Sequence, residues 1–160
     1  MSLVTFYDNL AAHLADHENL PEITTKQVLL VTGPDDPEQI KQIDQFVKDR
    51  VMRTKGIAIV IWEGETTNEA VDSQDGVMHA QVTFEVRLFV HPQKWGPTYD
   101  PTKRQARLIL ESLVKALNGA SVAPVGRGCH DYVMVDSFLP VPDPEFWAWN
   151  VECSRTMTIK

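Results

Sequence analysis

The 160 residues carry 15 Lys and Arg against 22 Asp and Glu, a net charge of −7 with neutral histidines. A field of that sign repels duplex nucleic acid and anionic lipid, so neither is expected as a broad-surface partner, and no sequence-specific nucleic-acid contact is expected. With 43% apolar residues, 23% charged residues and no apolar run near the ~20 residues of a membrane span, the composition is that of one globular domain, 1–160, with enough length to bury a core.

The first segment, MSLVTFYDNLAAHLADHE, has no basic start, so no secretion signal is expected and Cys129 and Cys153 are expected as reduced thiols rather than as a disulfide. From Ser2 to about Asp16, Leu3, Phe6, Tyr7, Leu10 and Leu14 recur at helical spacing with Ser2 as a cap. VLLVTG reads as a short strand or the end of an extended loop, with strand preferred. In GPDDPEQIKQIDQFVKDRVMRTKG, Asp36, Pro37 and Glu38 are a cap, a pre-set first position and a first-turn acid, and Ile40, Ile43, Phe46, Val47 and Val51 make a helical stripe that Lys55-Gly56 ends. GIAIVIWEGETT is apolar on both parities from Ile57 to Trp62, as a central strand covered on both sides would be. TTNEAVDSQDG reads as a polar loop.

VMHAQVTFEVRLFVHP, Val77 to Pro92, alternates apolar and polar residues until Phe89 breaks the pattern. That is an unusually long strand with one face in a core and a second face bearing His79, Gln81, Thr83, Glu85 and Arg87. HPQKWGPTYDP is a loop. Asp100-Pro101 then opens a third helix, with Ala106, Ile109, Leu110, Leu113, Val114 and Leu117 as its stripe and Asn118-Gly119 as its stop. DYVMVDSFLPV is a strand, VPDPE a turn, and FWAWNVECSRTMTIK a last alternating strand with Trp147, Trp149, Val151, Cys153 and Met157 on one face. The expected class is α+β: a mainly antiparallel sheet with helices packed on one face and a long β-hairpin.

Chemical motifs are thin. Cys129, His130 and Asp131 have the residue types of a thiol nucleophile, base and orienter, but consecutive residues of an extended chain point to opposite sides and cannot relay a proton among themselves. A zinc site drawn from Cys129, His130, Cys153 and one more histidine would lack the close ligand pairs of structural zinc. The glycines of VGRG have no strand–GxGxxG–helix setting. Asp35-Asp36, Glu63/Glu65 and Asp143/Glu145 read as solvated acids, with Asp36 a cap and Pro142-Asp143-Pro144 a stiff turn. No catalytic residue, cofactor or metal is therefore assigned. A small thiol- or metal-dependent enzyme and a module that binds a ligand in a sheet–helix cleft are the alternatives.

Two further groups stand out. Lys103, Arg104 and Arg107 crowd the start of the third helix, where the macrodipole favours acids by about 0.3–1 kcal/mol each. Their counterpart is an acidic patch of the same chain, an acidic patch of a neighbouring copy, or water. Among the tryptophans, Trp62 and one of Trp147 and Trp149 are expected in the core. Trp95, in the loop KWGP, is the anchor residue expected of an interface, if it does not fold back on its own domain.

This element order, with the helix SLVTFYDNLAAHLA, the glycine-led strand GIAIVIWEG, the strand VMHAQVTFEVRLFV and the helix RQARLILESLVKALNG, resembles the small tail-terminator and tail-completion proteins of tailed bacteriophages. The resemblance covers most of the chain and transfers no individual site residue. It implies a non-enzymatic structural protein of the virion tail, assembled in the host cytoplasm without a cofactor. Its partners would be copies of itself in a homo-oligomeric ring, of six copies as a rule, the tail tube protein that the ring caps, and the head–tail connector that it joins. On that reading His79, Gln81, Glu85, Arg87, Trp95, Lys103, Arg104 and Arg107 are interface contacts.

Overall fold

The computed structural model describes residues 3–33, 37–53, 56–68, 78–92, 94, 106–122 and 132–159. Along the chain come α1 (Leu3–Ala15), a single 3-10 turn at Thr25–Gln27, β1 (Val28–Val31), α2 (Pro37–Arg53), β2 (Ile57–Asn68), β3 (Met78–Val90), α3 (Ala106–Leu117), β4 (Met134–Val141) and β5 (Trp147–Ile159). The strands form one sheet in the order β1-β2-β3-β5-β4. β2 with β3 and β4 with β5 are consecutive antiparallel pairs, β3 with β5 is antiparallel, and only β1 lies parallel to its neighbour β2. The parallel pair follows from connectivity: β1 and β2 are joined through α2, a crossover that brings the chain back in the same direction. The class is α+β, and the short strand VLLV is real.

Helices cover both faces of this sheet, which corrects the expectation of one. α1 and α3 share a face: Phe6, Tyr7, Leu10 and Leu14 of α1 and Ile109, Leu113 and Leu117 of α3 pack on Ile57, Ile59 and Ile61 of β2, the even-numbered residues Val82 to Val90 of β3, and Val151 and Cys153 of β5. α2 takes the opposite face, where Ile43, Val47 and Val51 meet Ala58, Val60, Phe89 and Ala148. Helical periodicity shows that a helix needs a surface but not which surface. The strands held the information: β2 is apolar on both parities because both of its sides are covered, and Phe89 breaks the alternation of β3 where α2 lands on it.

Local expectations hold at most ends. α3 stops at Leu117, and Gly119 carries the positive φ (78°) of a helix terminus that a side chain rarely tolerates. α2 starts on Pro37 with Glu38 in its first turn, while Asp36 lies outside the described residues, as does the Asp100-Pro101 start expected for α3. The polar loop before β3 is shorter than expected, because β2 continues through Thr66, Thr67 and Asn68. A register shift lies between Glu63 and Thr66, and there Gly64 approaches β3 so closely that a Cβ would stand 2.4 Å from the Thr83 carbonyl oxygen. Only glycine fits at this shift.

Candidate functional site

The outward face of β3 divides into two parts. Phe89 is buried under α2. Next along the strand, Arg87 is held by its own chain: the guanidinium carbon stands 4.8 Å from the centroid of the Trp62 ring, Nε donates to Asn150 Oδ1 at 3.5 Å, and Nη2 lies 3.9 Å from a Glu85 carboxylate oxygen. Trp62 is therefore a half-buried platform rather than a core residue, and neither Trp147 nor Trp149 is fully buried; the two rings meet edge to face with centroids 6.5 Å apart. Thr83 donates its hydroxyl to the Glu65 carbonyl at 3.0 Å, and Gln81 is exposed. His79 is paired across the ladder with Thr158.

α2 is too short a cover for a sheet of this length. Beside it remains an open groove of about 1090 Å³, floored by Trp62, Gly64, Thr83 and Glu85 and walled by α2 on one side and the β4–β5 turn on the other. Ile40, expected in the α2 stripe, is instead half-exposed (50%) on its lip. The turn is shaped by Asp143, whose Oδ1 accepts the backbone N–H groups of Glu145 and Phe146 at 2.9 Å each. Seven carboxylates line the groove against two cations, Lys48 and Arg87. Lys48 stands 3.5 Å from Glu145 across the groove mouth, and Glu152 accepts the Ser137 hydroxyl at 3.1 Å. These pairs are mostly solvated and worth little in stability. Their importance is in the field: carboxylates in excess on low-dielectric walls attract a cationic group and repel an anionic one.

At the far edge of the sheet, β4 leaves Met134, Phe138 and Leu139 exposed at 60%, 52% and 47%. Soluble proteins usually blunt such edges with charge or cover them. Here Pro140 removes one donor and Asp136 supplies one charge, and three large apolar side chains still face water. The sequence showed a strand over these residues but not that it lies at an edge, because alternation and composition do not report strand order.

Of the other residues singled out in the sequence, Arg107 is exposed in α3, and it has no ion pair with a described residue. Trp95, Lys103 and Arg104 lie outside the described residues, as do Cys129, His130 and Asp131. Among the described residues no group of three or more His, Cys, Asp or Glu is placed to hold a metal ion, and no helix is long and apolar enough to cross a membrane.

Cys153 is a poor nucleophile on physical grounds. It is 1% exposed in the main core, and burial, with a smaller contribution from the Asp136 charge, pushes its thiol up from an ordinary 9.0 to about 12. Iodoacetamide at pH 8 should alkylate Cys153 at least about a hundredfold more slowly in the native chain than in urea, as read by peptide mass mapping, because so little thiolate is present. The linkage has one sign. The native state keeps the proton that the unfolded thiol loses, so this contribution to stability is complete below about pH 9 and declines as pH rises toward 12.

No family model matches the sequence, and no curated protein is significantly similar to it.

Proposed function

We propose that this chain is a structural protein of a phage or prophage tail that acts by contact with other chains, most simply a terminator whose ring caps the tail tube and meets the head connector. One observation carries the reading most directly. Among the described residues, the molecule presents a charge-patterned groove beside α2 and an edge strand with Met134, Phe138 and Leu139 exposed, surfaces of the kind that contacts with other chains use. Within the β2–β3 pair, Gly64 lets the two long strands approach closely at the register shift. The raised thiol of Cys153 counts against chemistry at that cysteine.

The reading is tested by mixing the chain with the tail tube protein of the same genome and following mass by light scattering and shape by negative stain. Rings seated at tube ends, and tubes that stop growing when the chain is added, are the expected result. A chain that stays monomeric at high concentration and never decorates a tube end overturns it. The groove also suits a peptide-binding module, given its volume and the aromatic ring of Trp62 on its floor. Capture of a cationic peptide by a chain that ignores tubes would favour that second reading.

A further inference from the structure

We infer that the free part of β4, Asp136 to Pro140, is the seat for the same strand of a second copy of this chain, paired antiparallel about a two-fold axis at Phe138. β4 ends the sheet and has β5 on one side only. The start of its outer side is taken by its own chain. Val133 donates its N–H to the Ala120 carbonyl at 3.0 Å and accepts the Gly119 N–H at 2.7 Å, and Val135 donates to Asn118 Oδ1 at 3.1 Å. The backbones of Val133 and Val135 therefore turn away from β5. Asp136 is the extra residue of a register shift, since Val135 lies opposite Cys153 and Ser137 already lies opposite Glu152. An extra residue reverses which residues face outward, so beyond it Ser137 and Leu139 bond to β5 while Phe138 and Pro140 face the open side. Pro140 agrees with that phase, because a residue without an N–H costs the ladder nothing there. Among the described residues nothing pairs with this outer side from Asp136 to Pro140.

What fits this edge is its own image. Of the two outward residues only Phe138 offers both an N–H and a C=O, and an antiparallel bonded pair exchanges both groups between directly opposed residues. A two-fold axis at Phe138 makes that residue its own partner and satisfies both groups in each copy. In this register Asp136, the one charge of the stretch, lies opposite the second copy's Pro140, so like charges are not opposed. Two half-exposed Phe138 rings come side by side and leave water together with Leu139, and two five-stranded sheets become one. Such a contact is isologous and closes at two copies. It is therefore separate from ring formation and goes beyond the tail reading without resting on it.

The test is sedimentation equilibrium on the full chain, without tube protein. The wild type should dimerise, and because each copy carries a net charge of −7 the dimer should tighten as salt rises. Phe138→Asp sets two carboxylates against each other on the axis and should weaken the dimer at least about tenfold. Its far-UV circular dichroism should stay that of the wild type, since the side chain is exposed in the single chain. Phe138→Cys tests the register independently, because opposed Cα atoms of a bonded pair stand about 5.5 Å apart, within disulfide reach. In a Cys129→Ser background, Phe138→Cys should form a covalent dimer on mild oxidation at least about tenfold faster than Val4→Cys, which places the thiol on the exposed side of α1. A wild type that stays monomeric at every concentration and salt, a dimer that Phe138→Asp leaves as tight as before, or a Phe138→Cys chain that cross-links no faster than the Val4→Cys chain overturns the pairing. A dimer that never decorates tube ends leaves the pairing standing and removes the tail reading, and rings on tube ends formed by a chain that never dimerises do the reverse.

Discussion

Replacing Arg155 with alanine should destabilise the protein by on the order of 4 kcal/mol, from the combined loss of a large buried side chain and of a buried hydrogen bond. Arg155 is 2% exposed. Its Nη1 donates to the Val122 carbonyl at 2.7 Å, and its guanidinium lies 4.7 Å from the centroid of the Phe6 ring. One side chain thus ties β5 to the segment after α3 and to the underside of α1. Alanine would leave the carbonyl of buried Val122 without that donor and open a cavity between the two helices. Arg155→Met separates the two losses: it keeps most of the volume and relieves the desolvation of a cation, so it should cost about half as much as alanine. Urea unfolding followed by far-UV circular dichroism reads both, and equal midpoints for the two variants would show that the filling of this space is not what matters.

A second large loss is expected at Phe84. It stands at the middle of β3, flanked by β2 and β5, and its ring meets Phe6 at 5.7 Å and Tyr7 at 6.0 Å, both edge to face. These two contacts clamp α1 to the sheet. Phe84→Ala should lower stability by about 3–5 kcal/mol, which for a domain of this size is a fall in Tm of roughly 6–20 °C by calorimetry. Phe84→Leu retains much of the buried volume and should lose less than half of that.

The two residues show how far a linear reading reaches. Phe84 was legible: it shares parity with Val82, Val86 and Leu88, and the structure buries all four. Arg155 shares parity with Val151, Cys153 and Met157, so alternation placed it inward, yet its charge argued for the surface. Burial became possible only because folding brings the Val122 carbonyl and the Phe6 ring to it. The interaction surface divides in the same way. The polar residues of β3 are visible in the sequence as a set, but the groove they floor is made with Asp44, Asp136 and Glu152 from three other elements, which no spacing rule connects.

By itself the sequence determined which segments are helices and strands, which side of each is apolar, and that the class is α+β, because those properties follow from side-chain period and from local caps and stops. Tertiary structure alone decided that β1 pairs parallel at one edge and β4 ends the other, and that α2 crosses to the face opposite α1 and α3. It also decided that, among the described residues, a groove with an excess of carboxylates opens beside α2 on that face. The physical reason is that strand order and helix side are set by long-range burial: each apolar stripe requires a partner surface, and only the assembled sheet fixes which one it finds.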